Sequence, residues 1–211
     1  MQGFSYESLY KAAYGHPEYR THSPSEEFVN SPAFAALCKE HHIWPETHRI
    51  VEFGAGTCRA LRCAAAHGFQ VIGVDVVDAR DDGCKDIPHV VMDLTANPIN
   101  YSGLHGEQRR LGPDLKTFAI CVDVMEHFMP GHVPRALRAM MMDSHELFLQ
   151  IAMFEDVMTD RLGLPHPLHL TVRDERWWLD TIRREADAMG MRIAAFLSRP
   201  GGYFKCVITS K

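Results

Sequence analysis

Acidic residues end four apolar runs of this chain: Glu52 after Ile50-Val51, Asp75 after Val71 to Val74, Asp93 after Val90 to Met92, and Asp123 after Phe118 to Val122. Between the first two lies a bend with Gly54 and Gly56. Glycine lets a ligand approach the backbone where a Cβ would collide, and a helix start behind the bend offers unpaired N–H groups. Such a bend suits a nucleotide-like cofactor. Asp75, about 20 residues further on, is then placed to accept hydrogen bonds from both ribose hydroxyls. Just past the fourth run stand Glu126 and His127. An imidazole with a pKa near 6.5 can take a proton at neutral pH, so His127 is a candidate general base. Arg59 occupies the third-glycine position of the dinucleotide fingerprint, which argues against an NAD-dependent oxidoreductase.

These residues need strands to carry them. The apolar runs predict buried strands around Ile50, from Phe69 to Asp75, from His89 to Asp93, from Phe118 to Val122 and from Glu146 to Ala152. Helices are expected at residues 4–14, from Ala33 to His41 behind the Ser31-Pro32 entry, from Cys58 to His67 before Gly68, and from Pro134 to Met142. A last helix carries Trp178, Ile182, Ala186 and Met189 on one face, with Thr171 as its cap, Asp174 completing a capping-box variant and Gly190 at its end. Residues 16–27 and 80–88 read as connections, 97–116 as mostly loop with one helical turn, and 153–170 as a long connection. Arg199 to Gly202 marks a turn between two final strands. The expected fold is α/β: a Rossmann-like doubly wound sheet, mostly parallel, with a C-terminal antiparallel hairpin. Residues 1–47 form an N-terminal helical segment, either an extra packing layer or a lid in which Tyr14, Tyr19 and Arg20 cover the ligand, and 48–211 form the main domain.

The 211 residues suffice for one core, and 46% hydrophobic with 23% charged residues is ordinary for a globular protein. A net charge of −5 without any long Lys/Arg cluster argues against nucleic acid as a partner. Six scattered cysteines without CxxC spacing read as reduced thiols, which points to the cytoplasm. No basic leader and no run approaching 18 apolar residues is found, so no membrane is expected. Nothing here sets an oligomeric state.

In order and spacing, VEFGAGTC, VIGVD, MDL and VDVMEH resemble the motifs of the class I S-adenosylmethionine-dependent methyltransferases, over about residues 49–209. Cys58 replaces the third glycine of their first motif. The resemblance implies S-adenosyl-L-methionine as cofactor. Asp75 and the adjoining Val76 would meet the ribose, Asp93 and the Leu94 backbone the adenine, and Gly54, Ala55 and Gly56 the methionine part. Glu52 would orient the bend or reach the ammonium, and Asp123 would complete the cofactor site. Methyl transfer to a small-molecule acceptor follows, at a hydroxyl oxygen if His127, Glu126 and His169 are the catalytic groups. Two carboxylates and two histidines can also hold a divalent metal ion, which would acidify a substrate hydroxyl. Asp123, Glu126, His127 and His169 are similar in arrangement to the metal-binding run of small-RNA 2′-O-methyltransferases and some quinone-precursor O-methyltransferases, with Asp123 in place of a glutamate. The alternatives are an RNA or protein methyltransferase, or a protein that binds S-adenosylmethionine without catalysis.

Overall fold

The computed structural model describes residues 5–21, 23–96, 101–112 and 114–211. Seven strands form one sheet: β1 (His48–Phe53), β2 (Gln70–Asp75), β3 (His89–Val91), β4 (Lys116–Val122), β5 (Glu146–Ala152), β6 (Met191–Ser198) and β7 (Tyr203–Ser210). Their order is β3-β2-β1-β4-β5-β7-β6, with β1 to β5 parallel and the last two antiparallel, as the sequence led one to expect. The strand order reverses between β1 and β4, whose connections leave toward opposite faces. A crevice therefore opens at their carboxyl ends, where ligands of open α/β sheets collect.

Alternation along the strands feeds two cores. Val51, Phe53, Ile72, Val74, Ala119 and Cys121 pack on one face beneath α7 (Val133–Met142) and α9 (Glu175–Ala188), with Trp178 wholly buried. Ile50, Val71, Phe118, Ile120 and Phe148 pack on the other, beneath α3 (Pro24–Val29), α4 (Pro32–Glu40) and α5 (Arg59–Ala66). Phe28 of α3 stacks on Phe148 at 4.2 Å between centroids. Across the carboxyl ends lie α1 (Tyr6–Tyr14) and α2 (Pro17–Thr21), and α8 (Met158–Leu162) joins Leu9 and Ala13 of α1 in a small cluster of its own.

Four local expectations are corrected. Residues 16–27 hold α2 and α3, each opened by a proline in its first turn, where a missing N–H costs nothing. The 153–170 connection contains α8. The last helix is capped by Asp174, which accepts from Trp177 N at 2.9 Å, while the Thr171 hydroxyl donates to Phe128 O at 2.6 Å. The stretch read as loop carries α6 (Ser102–Leu111), apart from residues 97–100 and 113, which lie outside the described residues. The reason for α6 is tertiary: the buried Arg49 of β1 donates to Gln108 O, Gly112 O and Leu115 O, each at 2.7 Å, and so satisfies carbonyls at and beyond its C-terminus. Arg49→Met is expected to cost about 2–4 kcal/mol in a urea melt by leaving those carbonyls without a charged donor. A loss under about 1 kcal/mol would show that water satisfies them equally well.

Among the described residues no helix is long and apolar enough to cross a membrane. All six cysteines are free thiols.

Candidate active site

The bend after β1 is held by the tip of β2. Gly54 N and Ala55 N donate to Val74 O at 2.8 and 3.1 Å, and Gly56 N donates to Asp75 Oδ2 at 2.9 Å. Val77 N reaches Asp75 Oδ1 at 3.3 Å. Gly54 and Gly56 have φ of +76° and +49°, and a Cβ on them would fall on the Val124 side chain and the Tyr14 hydroxyl. Both positions thus require glycine sterically. Cys58 also takes left-handed φ, +61°, and its sulfur lies where Gly73 of β2 has no side chain: a Cβ there would stand 2.9 Å from it. The lost third glycine is accommodated by a glycine in the neighbouring strand.

Above the bend lies a cavity of about 230 Å³. Its walls include Gly54, Ala55, Gly56, Asp75, Val76, Asp93, Leu94, Asp123, His127 and His169, all anticipated from the sequence. Glu52 and Glu126 are not in the wall; both are buried behind it, each with one carboxylate oxygen lacking a partner. Among the residues the sequence reading missed as a site are Tyr6, Tyr10, Phe154, Asp156 and Tyr203. A signal for two of them existed, since Tyr6, Tyr10 and Tyr14 recur every four residues along α1 and so share one face. Tyr14 and Tyr19 line the cavity as the lid reading requires, whereas Arg20 is turned outward as a fastening, donating to Ala79 O at 3.0 Å and Asp81 at 2.6 Å.

Burial dominates the electrostatics. It raises the Asp75 carboxyl to about 6 despite its three backbone N–H bonds, and Glu52 to about 8 against a hydrogen bond from Ser25. Burial, with Asp123 close by, pushes Glu126 well above the usual carboxylate range. It also lowers His127 to about 3, His169 adding to the effect. His127 is therefore neutral at physiological pH, and the expected pKa near 6.5 for a general base is corrected.

Three of the four groups considered for a metal come together. Ligand atoms of Glu126, His127 and His169 all lie within 4.8 Å of one another, and Asp123 stands outside that set, with Gln150 Nε2 donating to its Oδ1 at 3.0 Å. Asp123 has φ of +54°, which aspartate tolerates better than most residues. Glu126 is also structural: its Oε1 accepts from Ala152 N at 3.0 Å, and its backbone carbonyl accepts from Leu170 N and Thr171 N at 2.9 and 2.8 Å. These bonds bring the 168–171 segment, and so His169, beside the end of β4. His169 Nδ1 donates to Phe154 O at 2.7 Å, which leaves Nε2 with its lone pair.

No protein-family model matches the chain, and no curated protein matches it in sequence. Solved structures do match. Magnesium protoporphyrin IX methyltransferase from Synechocystis PCC 6803, solved with bound S-adenosylmethionine, superposes with a TM-score of 0.63 at 13% identity, covering 100% of both chains. An S-adenosylmethionine-dependent methyltransferase from Anabaena variabilis superposes at 0.58 with 10% identity, over 99% of this chain and 96% of that one. A Rhodobacter sphaeroides protein named for Zn-dependent alcohol dehydrogenases also superposes at 0.58, with 12% identity over 99% and 100%. At such identities the likeness speaks for architecture alone. In architecture, the chain has the fold of the class I S-adenosylmethionine-dependent methyltransferases.

Proposed function

We propose that the protein transfers the methyl group of S-adenosylmethionine to a small-molecule acceptor, at a hydroxyl oxygen. The observation that carries this reading is the convergence of Asp75, Asp93 and Asp123, from three strand ends, on one cavity over a bend of bare glycines. Asp75 holds Gly56 and keeps oxygen lone pairs for the ribose hydroxyls. Asp93 and Leu94 border the adenine end, with Val76 as an apolar wall, and Gly54 to Gly56 leave room for the methionine part. When bound, the cofactor supplies a methyl group on a positively charged sulfur. The carboxylates favour that charge, and the aromatic cover of α1 and α2 keeps water from it. Within the 1–47 segment α1 and α2 thus act as a lid on the 48–211 domain, and α3 and α4 serve as a packing layer.

The donor set at the acceptor end fits a divalent metal ion. Glu126 Oε2 and His127 Nδ1 are buried without partners, His169 Nε2 keeps its lone pair, and two histidines with one glutamate form a recognised ligand set. A metal held there would lower the pKa of an acceptor hydroxyl. The chain's own part is to fix that hydroxyl beside the cofactor, which is where most of the rate of such a transfer arises.

Calorimetry with S-adenosylmethionine and S-adenosylhomocysteine tests the reading. Binding with Kd of micromolar order is expected. A protein that ignores both molecules would refute it.

A further inference from the structure

The charge of the cavity is one-sided. Asp75, Asp93, Asp123 and Asp156 line it, and among the described residues no lysine or arginine does. The residues outside the described set include neither type. Arg20 and Arg59 are engaged with Asp81 outside the wall, and Lys205, 5.9 Å from the Tyr203 ring centroid, is not part of it. S-adenosylmethionine brings a single net positive charge, so the cavity stays negative when it is filled.

On the methyltransferase reading Asp75 and Asp93 serve the adenosine part of the cofactor. Asp156 follows β5 and lines the cavity within electrostatic reach of Tyr19 and His169, and the Phe154 ring stands 5.9 Å from the His169 ring and 5.3 Å from the Tyr203 ring. Its carboxylate is fixed in place, accepting from Met158 N at 2.8 Å and Thr159 N at 2.9 Å as well as from the Thr159 hydroxyl. Burial opposes its ionisation, yet those bonds outweigh burial and hold the group below the usual carboxylate range. Asp156 is thus a permanent charge, with lone-pair capacity beyond the bonds it already accepts. The Tyr10 ring stands edge-on to His127 at 5.8 Å, and its hydroxyl is buried without a partner in the same space. At the rim, Phe154 and Val157 present apolar surface to solvent. Aromatic faces next to a fixed carboxylate make a receptor for an organic cation.

Resting on the methyltransferase reading, we propose that the outer end of the cavity takes an aromatic acceptor bearing a cationic amine and turns away acceptors bearing carboxylate or phosphate. The acceptor ring packs among Tyr10, Tyr19 and Phe154, and the amine pairs with Asp156. Its reacting hydroxyl then meets the His127 and His169 end.

The test uses the full chain saturated with S-adenosylhomocysteine and three phenols differing in charge: tyramine, 4-ethylphenol and 3-(4-hydroxyphenyl)propionate, titrated by calorimetry. Tyramine is expected to bind at least fivefold tighter than 4-ethylphenol and at least thirtyfold tighter than the acid, with the advantage shrinking as salt is raised. Asp156→Asn, which keeps an acceptor oxygen for the α8 N–H groups, is expected to reduce the tyramine advantage over 4-ethylphenol at least threefold. Equal or better binding of the acid, an unchanged ratio in Asp156→Asn, or no binding of any of the three overturns the proposal and leaves the methyltransferase reading standing. Failure to bind S-adenosylhomocysteine at the outset overturns both. The wild-type ranking decides the matter even where the variant does not fold.

Discussion

Asp75→Asn is expected to lose cofactor affinity by about 2–4 kcal/mol, roughly 30- to 1,000-fold in Kd, while unfolding close to the wild type at pH 7. The two halves of this result have separate causes. An amide offers one acceptor oxygen where the carboxylate offers two, so the ribose hydroxyls and the bend at Gly56 compete for it. Stability behaves differently because the wild-type carboxyl is itself strained by burial: with its pKa raised to about 6 in the fold, keeping it ionised at neutral pH costs the empty protein roughly 3 kcal/mol. The amide removes that cost and gives back one of the N–H bonds. The sign of the pH dependence follows. The folded protein keeps this proton up to about pH 6, whereas the unfolded chain loses it near the ordinary carboxylate value, so this group's share of stability falls as pH rises between the two. Cofactor affinity runs the other way, falling as pH drops below about 6, and calorimetry across that range reads it. An affinity unchanged from pH 5 to 8, or an Asn variant that binds like wild type, would remove Asp75 from the site.

The second large effect is expected at Glu126. Glu126→Gln keeps an amide oxygen to accept from Ala152 N, and the backbone carbonyl that receives Leu170 N and Thr171 N is untouched, so the fold should persist. What the variant loses is a carboxyl beside His127 and His169 that can give up its proton to bind a cation. Uptake of one equivalent of Zn2+ or Mn2+ by chelator-treated wild type is expected, with affinity at least 100-fold weaker in Glu126→Gln and in His169→Ala. Methyl transfer should fall with the metal and return on its addition. Full activity in metal-free protein would end the metal assignment, leaving positioning alone to these three residues.

Much of this was legible in the sequence because it is local. Apolar runs between breakers located the five parallel strands, and carboxylates at their ends located the cavity, since a strand end in an open parallel sheet is already half of a ligand site. The failures at α6, Thr171 and His127 share one cause, partners distant in the chain. α6 reads as loop because its final carbonyls are satisfied by Arg49, some sixty residues earlier. Thr171 looks like a cap and is instead bonded to Phe128 O, and Asp174 takes its place. Equally, the shielding that lowers His127 cannot be seen from the EH dipeptide; it needs Tyr10, from the first helix, laid against the imidazole.

Cys58 and Gly73 carry a consequence for how kinship with this chain should be traced. One holds a sulfur in the space that the other leaves vacant, so they are two halves of a single steric exchange between the start of α5 and β2. A homologue with glycine at the first position gains the sulfur's space for a methyl group at the second, where Ala55 and the His89 ring, each 3.1 Å from that point, must still give a little. Compared column by column, such chains differ twice. Compared as a filled volume, they differ much less.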